Sequence, residues 1–328
     1  MSKEALYIVY SDIHHNVWNQ YNENDRRVKI SLEVENHIFK VAKKLNVDVL
    51  FTGDIMHTEK HITNKLLSYV LPHYKRLEKY GVNMYAISGN HDQCEINIKE
   101  SRSPNYIKTF SKVFDYIKCL DFKVSLNKGT LICGIPYLTH DQGLLEHLKS
   151  IPFKTYSKAK VKICMMHTTL PTTRDTDGRL IQTNTIGHEV MNFLEKKFDL
   201  VLVGHIHKPM KLGKNIIQVG ATNQQRKTDK ECDLGYWIIY KDLSSEFVPV
   251  KSARFVELEW DEKKPDDDNF YYNKLKEIPQ KEFKVQVEGN FDNTTNTRKL
   301  ARSYLKEKEI KDSTKKKMLI SILKDSEL

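Results

Sequence analysis

No stretch of this 328-residue sequence approaches the roughly 20 consecutive apolar residues that span a bilayer. The opening Met1-Ser2-Lys3-Glu4 leads at once into a short apolar run and lacks the form of a secretory signal, so no membrane role is expected. Cysteine is sparse: Cys94, Cys119, Cys133, Cys164 and Cys232 form an odd set with no CxxC pair. Three of them lie in or beside apolar runs, where a thiol acts as a small hydrophobe. That argues against a disulfide scaffold and against thiolate metal sites, and it fits a reducing, cytoplasmic setting. No solenoid repeat is visible. Hydrophobic residues at 39% and aromatic residues at 10% supply a core, which excludes global disorder. Acidic residues fall ten short of basic ones, giving a net charge of +10, and this favours a polyanionic partner without naming one.

What the chain does have is one design used five times: an apolar, strand-like run that ends in Asp, His or Asn. Residues 201–203 lead into Gly204-His205-Ile206-His207. Residues 6–10 lead into Ser11-Asp12-Ile13-His14, and residues 47–51 into Thr52-Gly53-Asp54-Ile55-Met56-His57. Residues 82–87 lead into Ser88-Gly89-Asn90-His91-Asp92, and residues 161–166 into His167. Side chains alternate along a strand, so a strand continuing past Gly204 would aim His205 and His207 the same way. Five such ends at one edge of a sheet match the way open α/β proteins build sites.

Strand-like and helix-like stretches alternate through the first two hundred residues, which predicts an α/β fold of layered sheets with helices on both faces. Apolar spacings of three and four predict helices over 27–45 and 63–80, the second kinked or divided at Pro72. Further helices are expected up to about residue 116 and over 189–197. Residues 168–185 have no period and read as a long loop. Strands are expected near 216–219, 236–240 and 247–250. The composition changes after residue 255, giving three expected units: 1–255 as the main domain, 256–311 as a small α+β cap, and 312–328 as a helical tail. Within the last two, a strand is expected at 283–287 and helices at 298–310 and 314–324.

The polar residues at the strand ends amount to two carboxylates, one amide and four imidazoles: Asp12, His14, Asp54, Asn90, His167, His205 and His207. This is too many ligands for one ion and too mixed for a closed structural zinc site. Two ions sharing a bridging carboxylate would use them all, and such a pair can clamp the attacking and leaving oxygens of displacement at phosphorus. Nitrogen and oxygen ligands without sulfur suit manganese, iron or zinc. Metal-dependent phosphoester hydrolysis is the reading these residues give.

The ordered set Asp12-x-His14, Gly53-Asp54, Gly89-Asn90-His91-Asp92, His167 and Gly204-His205-x-His207 resembles the five motifs of the binuclear metallophosphoesterases. Within them the chain resembles the SbcD-type recombination and repair nucleases, especially their short bacteriophage versions. That resemblance implies two divalent ions, Mn2+ first and Mg2+, Fe2+ or Zn2+ otherwise. Asp12, His14 and His207 would hold one, Asn90, His167 and His205 the other, with Asp54 between. His91 and Asp92 would be the catalytic pair, His91 facing the scissile phosphate and Asp92 orienting its neighbours. Gly53-Asp54-Ile55-Met56-His57 and the final Asp92 resemble the nuclease pattern more than the protein phosphatase one, and His57 would face DNA.

The implied function is a DNA exonuclease or endonuclease subunit that cuts with a metal-activated water. It would act with an SMC-like ABC ATPase of the SbcC type in recombination, repair or replication, as a homodimer within a heterotetramer. Where the family has Leu-Gly after the first histidine this chain has His15-Asn16. His15 is accordingly expected to be an exposed loop residue that could also meet DNA. The alternatives are a stand-alone phosphodiesterase or phosphatase, and a non-catalytic scaffold with the same fold. The cationic, amphipathic residues 314–324 are expected to form a helix docking on the ATPase, or else packing on the chain's own second unit.

Overall fold

In the computed structural model, residues 3–18, 23–58, 62–93, 105–138, 143–171, 185–229, 232–258 and 320–324 are described. Successive parallel strands build the first sheet: β1 (Ala5–Tyr10), β2 (Asp48–Phe51), β3 (Met84–Ala86) and β4 (Ile117–Cys119), with β11 (Gly235–Tyr240) and β12 (Ser245–Pro249) added antiparallel on the β1 side. The second sheet has the order β5 (Lys123–Asn127), β6 (Thr130–Ile135), β7 (Val161–His167), β8 (Leu200–Gly204), β10 (Ile216–Gln218) and β9 (Met210–Leu212). Its four middle strands are parallel and its outer two antiparallel.

Strand alternation explains how these sheets stack. In β1, Tyr7 and Val9 join an inner layer with Leu50, Ile132, Ile163, Met165, Leu202 and Trp237, so the two sheets pack face to face. Ile8 and Tyr10 point the other way, into a core shared with α1 (Arg26–Leu45), α2 (Asn64–Leu77) and α3 (Tyr106–Val113). Cys133, Cys164, Met166, Val201 and Val203 do the same on the second sheet, against α4 (Leu144–Ser150) and α5 (His188–Lys197). Each sheet therefore carries helices on one face and the other sheet on its second face. The single sheet edge expected from sequence is in fact two edges: β1, β2 and β3 belong to one sheet, β7 and β8 to the other.

Helix α2 runs through Pro72 into a 3-10 turn (Glu78–Tyr80), with its start capped by Thr63, whose hydroxyl accepts from the Leu66 N–H. The tail departs further from expectation. Ile320–Lys324, expected in a helix, is strand β14, paired antiparallel with β13 (Arg254–Leu258), Phe255 opposite Leu323 and Val256 opposite Ile322. A lone helix of this length is marginal in water, whereas Ile320 and Ile322 at spacing two suit a pleated strand once a partner edge exists. The strand expected at 283–287 and the helix expected at 298–310 lie outside the described residues.

Beneath β1, the fold buries a carboxylate. Glu35 of α1 is fully enclosed and accepts hydrogen bonds from the hydroxyls of Tyr10 and Tyr74 and from Nε2 of His15 (3.1 Å) and His73 (2.9 Å). Burial alone would raise its pKa, but the hydrogen bonds from His15 and His73 outweigh burial and hold the carboxyl well below the usual range. His73 is pushed down, by burial first. In the unfolded chain His73 gains a proton near pH 6.5 and Glu35 near 4.3; in the fold both resist. Stability contributed by both groups is thus complete above these values and lost as pH falls. The unfolding free energy should decline from about pH 6.5 downward, and Glu35→Gln should flatten the part below about pH 5. At neutral pH, Glu35→Ala should cost about 3–5 kcal/mol by denaturant titration; a loss under about 1 kcal/mol would show that the carboxylate does not organise the cluster.

Candidate metal centre

Four of the motif residues sit at positive φ: Asp12 (49°), His14 (47°), Asp54 (62°) and His205 (91°). Such values are uncommon outside glycine and mark functional strain. Here they turn the chain sharply at the strand ends, so that side chains from both sheets converge. His205 follows the last residue of β8 and leaves the strand path, so the alternation argument for His205 and His207 fails. The two rings enter different groups, one atom each from Asp12, His14 and His207 lying within 4.8 Å of one another, and likewise for Asp54, His167 and His205.

Asp54 joins these groups. A single oxygen, Oδ2, lies 3.4 Å from His14 Nε2 and 3.4 Å from His167 Nε2. Its other oxygen accepts the His91 backbone N–H at 2.8 Å. Asn90 completes the second group, with Oδ1 3.0 Å from His167 Nε2 and 2.9 Å from His205 Nδ1. The approach is close enough to require glycine: a Cβ on Gly89 would lie 2.1 Å from Asp54 Oδ1, and one on Gly53 2.5 Å from His167 Nδ1.

Backbone and side-chain bonds set the ring orientations. His167 Nδ1–H donates to the Thr52 carbonyl at 2.7 Å, which turns Nε2 inward. His207 Nδ1 lies 3.2–3.3 Å from the Asp229 carboxylate, the same arrangement with an acid in place of a carbonyl. Burial would lower both rings, but Asp54 raises His167 to about 9 and Asp229 raises His207. His205 is driven down to about 3, by burial first and then by the charge of His167. Asp92 belongs to neither group. It is buried, and its oxygens accept the backbone N–H groups of Asp54, Ile55, Met56 and Gly89 at 2.8–3.2 Å, tying the second motif to the third. It is a positioning residue.

His91 and His57 stand beside the first group. Both are half-buried, their rings stacked at 5.2 Å with His14 edge-on to each. His91 Nδ1–H donates to the His57 carbonyl at 2.7 Å, which fixes the ring and leaves Nε2 as its other nitrogen. Trp18 packs on His57 at 4.2 Å, and Arg27 lies over Trp18. His15 is corrected: it is fully buried, with Nδ1 2.8 Å from Ser31 Oγ and Nε2 on Glu35, and so meets neither solvent nor DNA. Its neighbour His14 takes the opposite direction because backbone bonds from His14 and His15 to the carbonyls of Asp54 and Ile55 hold the loop flat against the second motif.

Four buried atoms at this centre, Asp12 Oδ1, both ring nitrogens of His14 and Nδ1 of His57, have no hydrogen-bond partner, and His14, His57 and His91 also bring one nitrogen each within 4.8 Å of one another. Unsatisfied buried polar atoms cost about 1–3 kcal/mol each, and together with the all nitrogen and oxygen donor set this is what a divalent cation would relieve. The residues fit such ions.

Residues 6–209 match the sequence pattern of the calcineurin-like phosphoesterases. The chain belongs to that family. Calcineurin-like phosphoesterases are hydrolases of phosphoesters and use divalent metals. The chain is similar to the DNA double-strand break repair protein Mre11 of Methanocaldococcus jannaschii, 27% identical over 197 residues, covering 58% of this chain and 48% of that protein. It is also similar to the exonuclease subunit 1 of Enterobacteria phage T4, 23% identical over 201 residues (60% and 54%), and to the uncharacterised metallophosphoesterase YhaO of Bacillus subtilis, 24% identical over 218 residues (64% and 50%). The chain thus spans about half the length of the curated relatives it matches.

Because Asp54 serves both groups, Asp54→Ala should remove metal from both, read by elemental analysis after equilibration with Mn2+; two ions retained per chain would contradict a shared carboxylate. Asp229→Asn, which keeps an acceptor for the Gln225 and Arg226 N–H groups, should weaken Mn2+ binding about 10–100-fold by calorimetry, and unchanged affinity would show that the Asp229 charge does not orient His207.

Proposed function

We propose that the chain is a metal-dependent DNA nuclease subunit that hydrolyses phosphodiester bonds. Asp12, His14 and His207 would hold one ion and Asn90, His167 and His205 the other, with Asp54 shared. Mn2+ is the preferred ion by the resemblance to SbcD-type nucleases; the nitrogen and oxygen donors by themselves suit manganese, iron or zinc alike. When bound, such ions supply Lewis acidity at phosphorus and an acidified water. The reading is carried by His91, whose backbone is tied to the shared carboxylate and whose ring is anchored at Nδ1 by a carbonyl, leaving Nε2 at the rim of the first group.

From that position Nε2–H stabilises charge on the phosphoryl oxygens or delivers its proton to the leaving oxygen, a role worth about 10² to 10⁴ in rate. His57 stacks behind it and keeps the ring plane fixed. Two relatives, a break repair protein and an exonuclease subunit, and the net charge of +10 favour DNA over a small diester. By resemblance to SbcD-type nucleases, the proposed partner is an SMC-like ABC ATPase, to be sought by co-purification.

His91→Asn should keep both ions and DNA affinity while kcat falls about 100-fold or more. Loss of metal along with rate would make His91 structural. Duplex DNA and a small chromogenic diester, compared across a salt series, test the substrate: DNA hydrolysis should weaken steeply with salt and the diester little. Preference for the diester at every salt concentration would assign the chain to stand-alone phosphodiesterases.

A further inference from the structure

The segment after β10 is polar in sequence yet buried in the fold. Thr222, Asn223, Gln224 and Gln225 are all enclosed. Gln225 Nε2 donates to the Asp12 carbonyl, the Gln225 carbonyl accepts from Arg27 Nη2 at 2.9 Å, and Gln224 Nε2 donates to the Asp229 carbonyl at 2.8 Å. Asp229 Oδ2 then accepts the backbone N–H groups of both Gln225 and Arg226 at 3.0 Å. This is the carboxylate that also holds His207. A segment with this many bonds to its surroundings is rigid, and it is locked to the first ligand group at Asp12 and at His207.

Arg226 is the exception within it. Its side chain is exposed, while the residues from 221 to 225 are buried. Among the described residues no carboxylate pairs with its guanidinium. Its backbone N–H and the His207 ring share one acceptor, Asp229 Oδ2, at 3.0 and 3.2 Å, so the residue is rooted one carboxylate away from the first ligand group. An unpaired guanidinium on a rigid support beside a phosphoryl-transfer centre suits a phosphate group, which it can grip with two parallel N–H bonds.

We infer that Arg226 is a substrate-binding residue that grips a DNA phosphate next to the one being cut, and so selects polynucleotides over small diesters. This rests on the nuclease reading. Asp229 gives the arrangement its precision, because one carboxylate orients the His207 ring and fixes the backbone from which Arg226 projects.

The test uses the full chain loaded with Mn2+, with a short duplex and bis(p-nitrophenyl) phosphate as substrates. Arg226→Gln should raise KM for DNA about tenfold, lower the ratio of kcat/KM for DNA to that for the small diester by a similar factor, and reduce the slope of log affinity against log salt by about 0.9, one phosphate's worth. Arg226→Lys should restore the salt slope but only part of the affinity, since an ammonium is a point charge. An unchanged KM and slope in Arg226→Gln, while the unmodified protein cuts DNA, would overturn the role of Arg226 alone. So would a fall in kcat accompanied by metal loss, which would make the residue structural. If the unmodified protein cuts the small diester but not DNA, the nuclease reading falls, and this role with it.

Discussion

One carboxylate oxygen lies at the same distance from imidazoles that belong to two different sheets. Asp54 Oδ2 is 3.4 Å from His14, which follows β1 of the first sheet, and 3.4 Å from His167, which ends β7 of the second. Bringing those atoms together in a buried space is costly, and much of the surrounding structure serves to hold them there. Positive φ angles at Asp12, His14, Asp54 and His205 bend the chain at the strand ends. Gly53 and Gly89 leave no room for a Cβ, and Asp92 clamps the two motif backbones with four accepted N–H bonds. The face-to-face packing of the sheets sets the distance between the two sets of strand ends.

Behind the centre, further buried carboxylates hold the elements that carry it. Glu35 gathers His15, His73, Tyr10 and Tyr74 and so pins the loop of Asp12 and His14 to α1. Asp121 accepts from the Ser88 N–H and hydroxyl at 2.8 Å and from Asn105 Nδ2 at 2.9 Å, fixing the turn that presents Asn90 and His91. Asp229 does the same for His207 and the segment after β10. Removing one such support leaves several buried donors unpaired at once, which is why buried polar networks are costly to interrupt. The functional side chains therefore inherit their placement from a polar layer as much as from the apolar core.

How much of this was legible in the sequence follows from what local pattern can encode. The five strand ends were legible because an apolar run closing on Asp, His or Asn breaks the periodicity that a core alone demands, and α1 was legible because its apolar spacing is regular. The division into two sheets was not. β2 and β7 both read as short buried runs, and nothing local says which strand each will pair with. His15 was misread because its partner is twenty residues away, although Glu35 lies on the buried stripe of α1 with Ser31 and Ile38, and a carboxylate on that stripe is a signal of a buried cluster. Asp229 gave no signal, since the residues before it are polar and still buried. At 320–324 the pairing edge of β13 overrode a helical spacing.

The proposed two-ion centre depends on one shared carboxylate, that of Asp54. Anomalous X-ray diffraction from crystals of the protein equilibrated with Mn2+ tests it most directly. The account predicts two peaks, one bounded by Asp12, His14 and His207, the other by Asn90, His167 and His205, with the Asp54 carboxylate contacting both. A single peak, or two peaks neither of which touches Asp54, would contradict it.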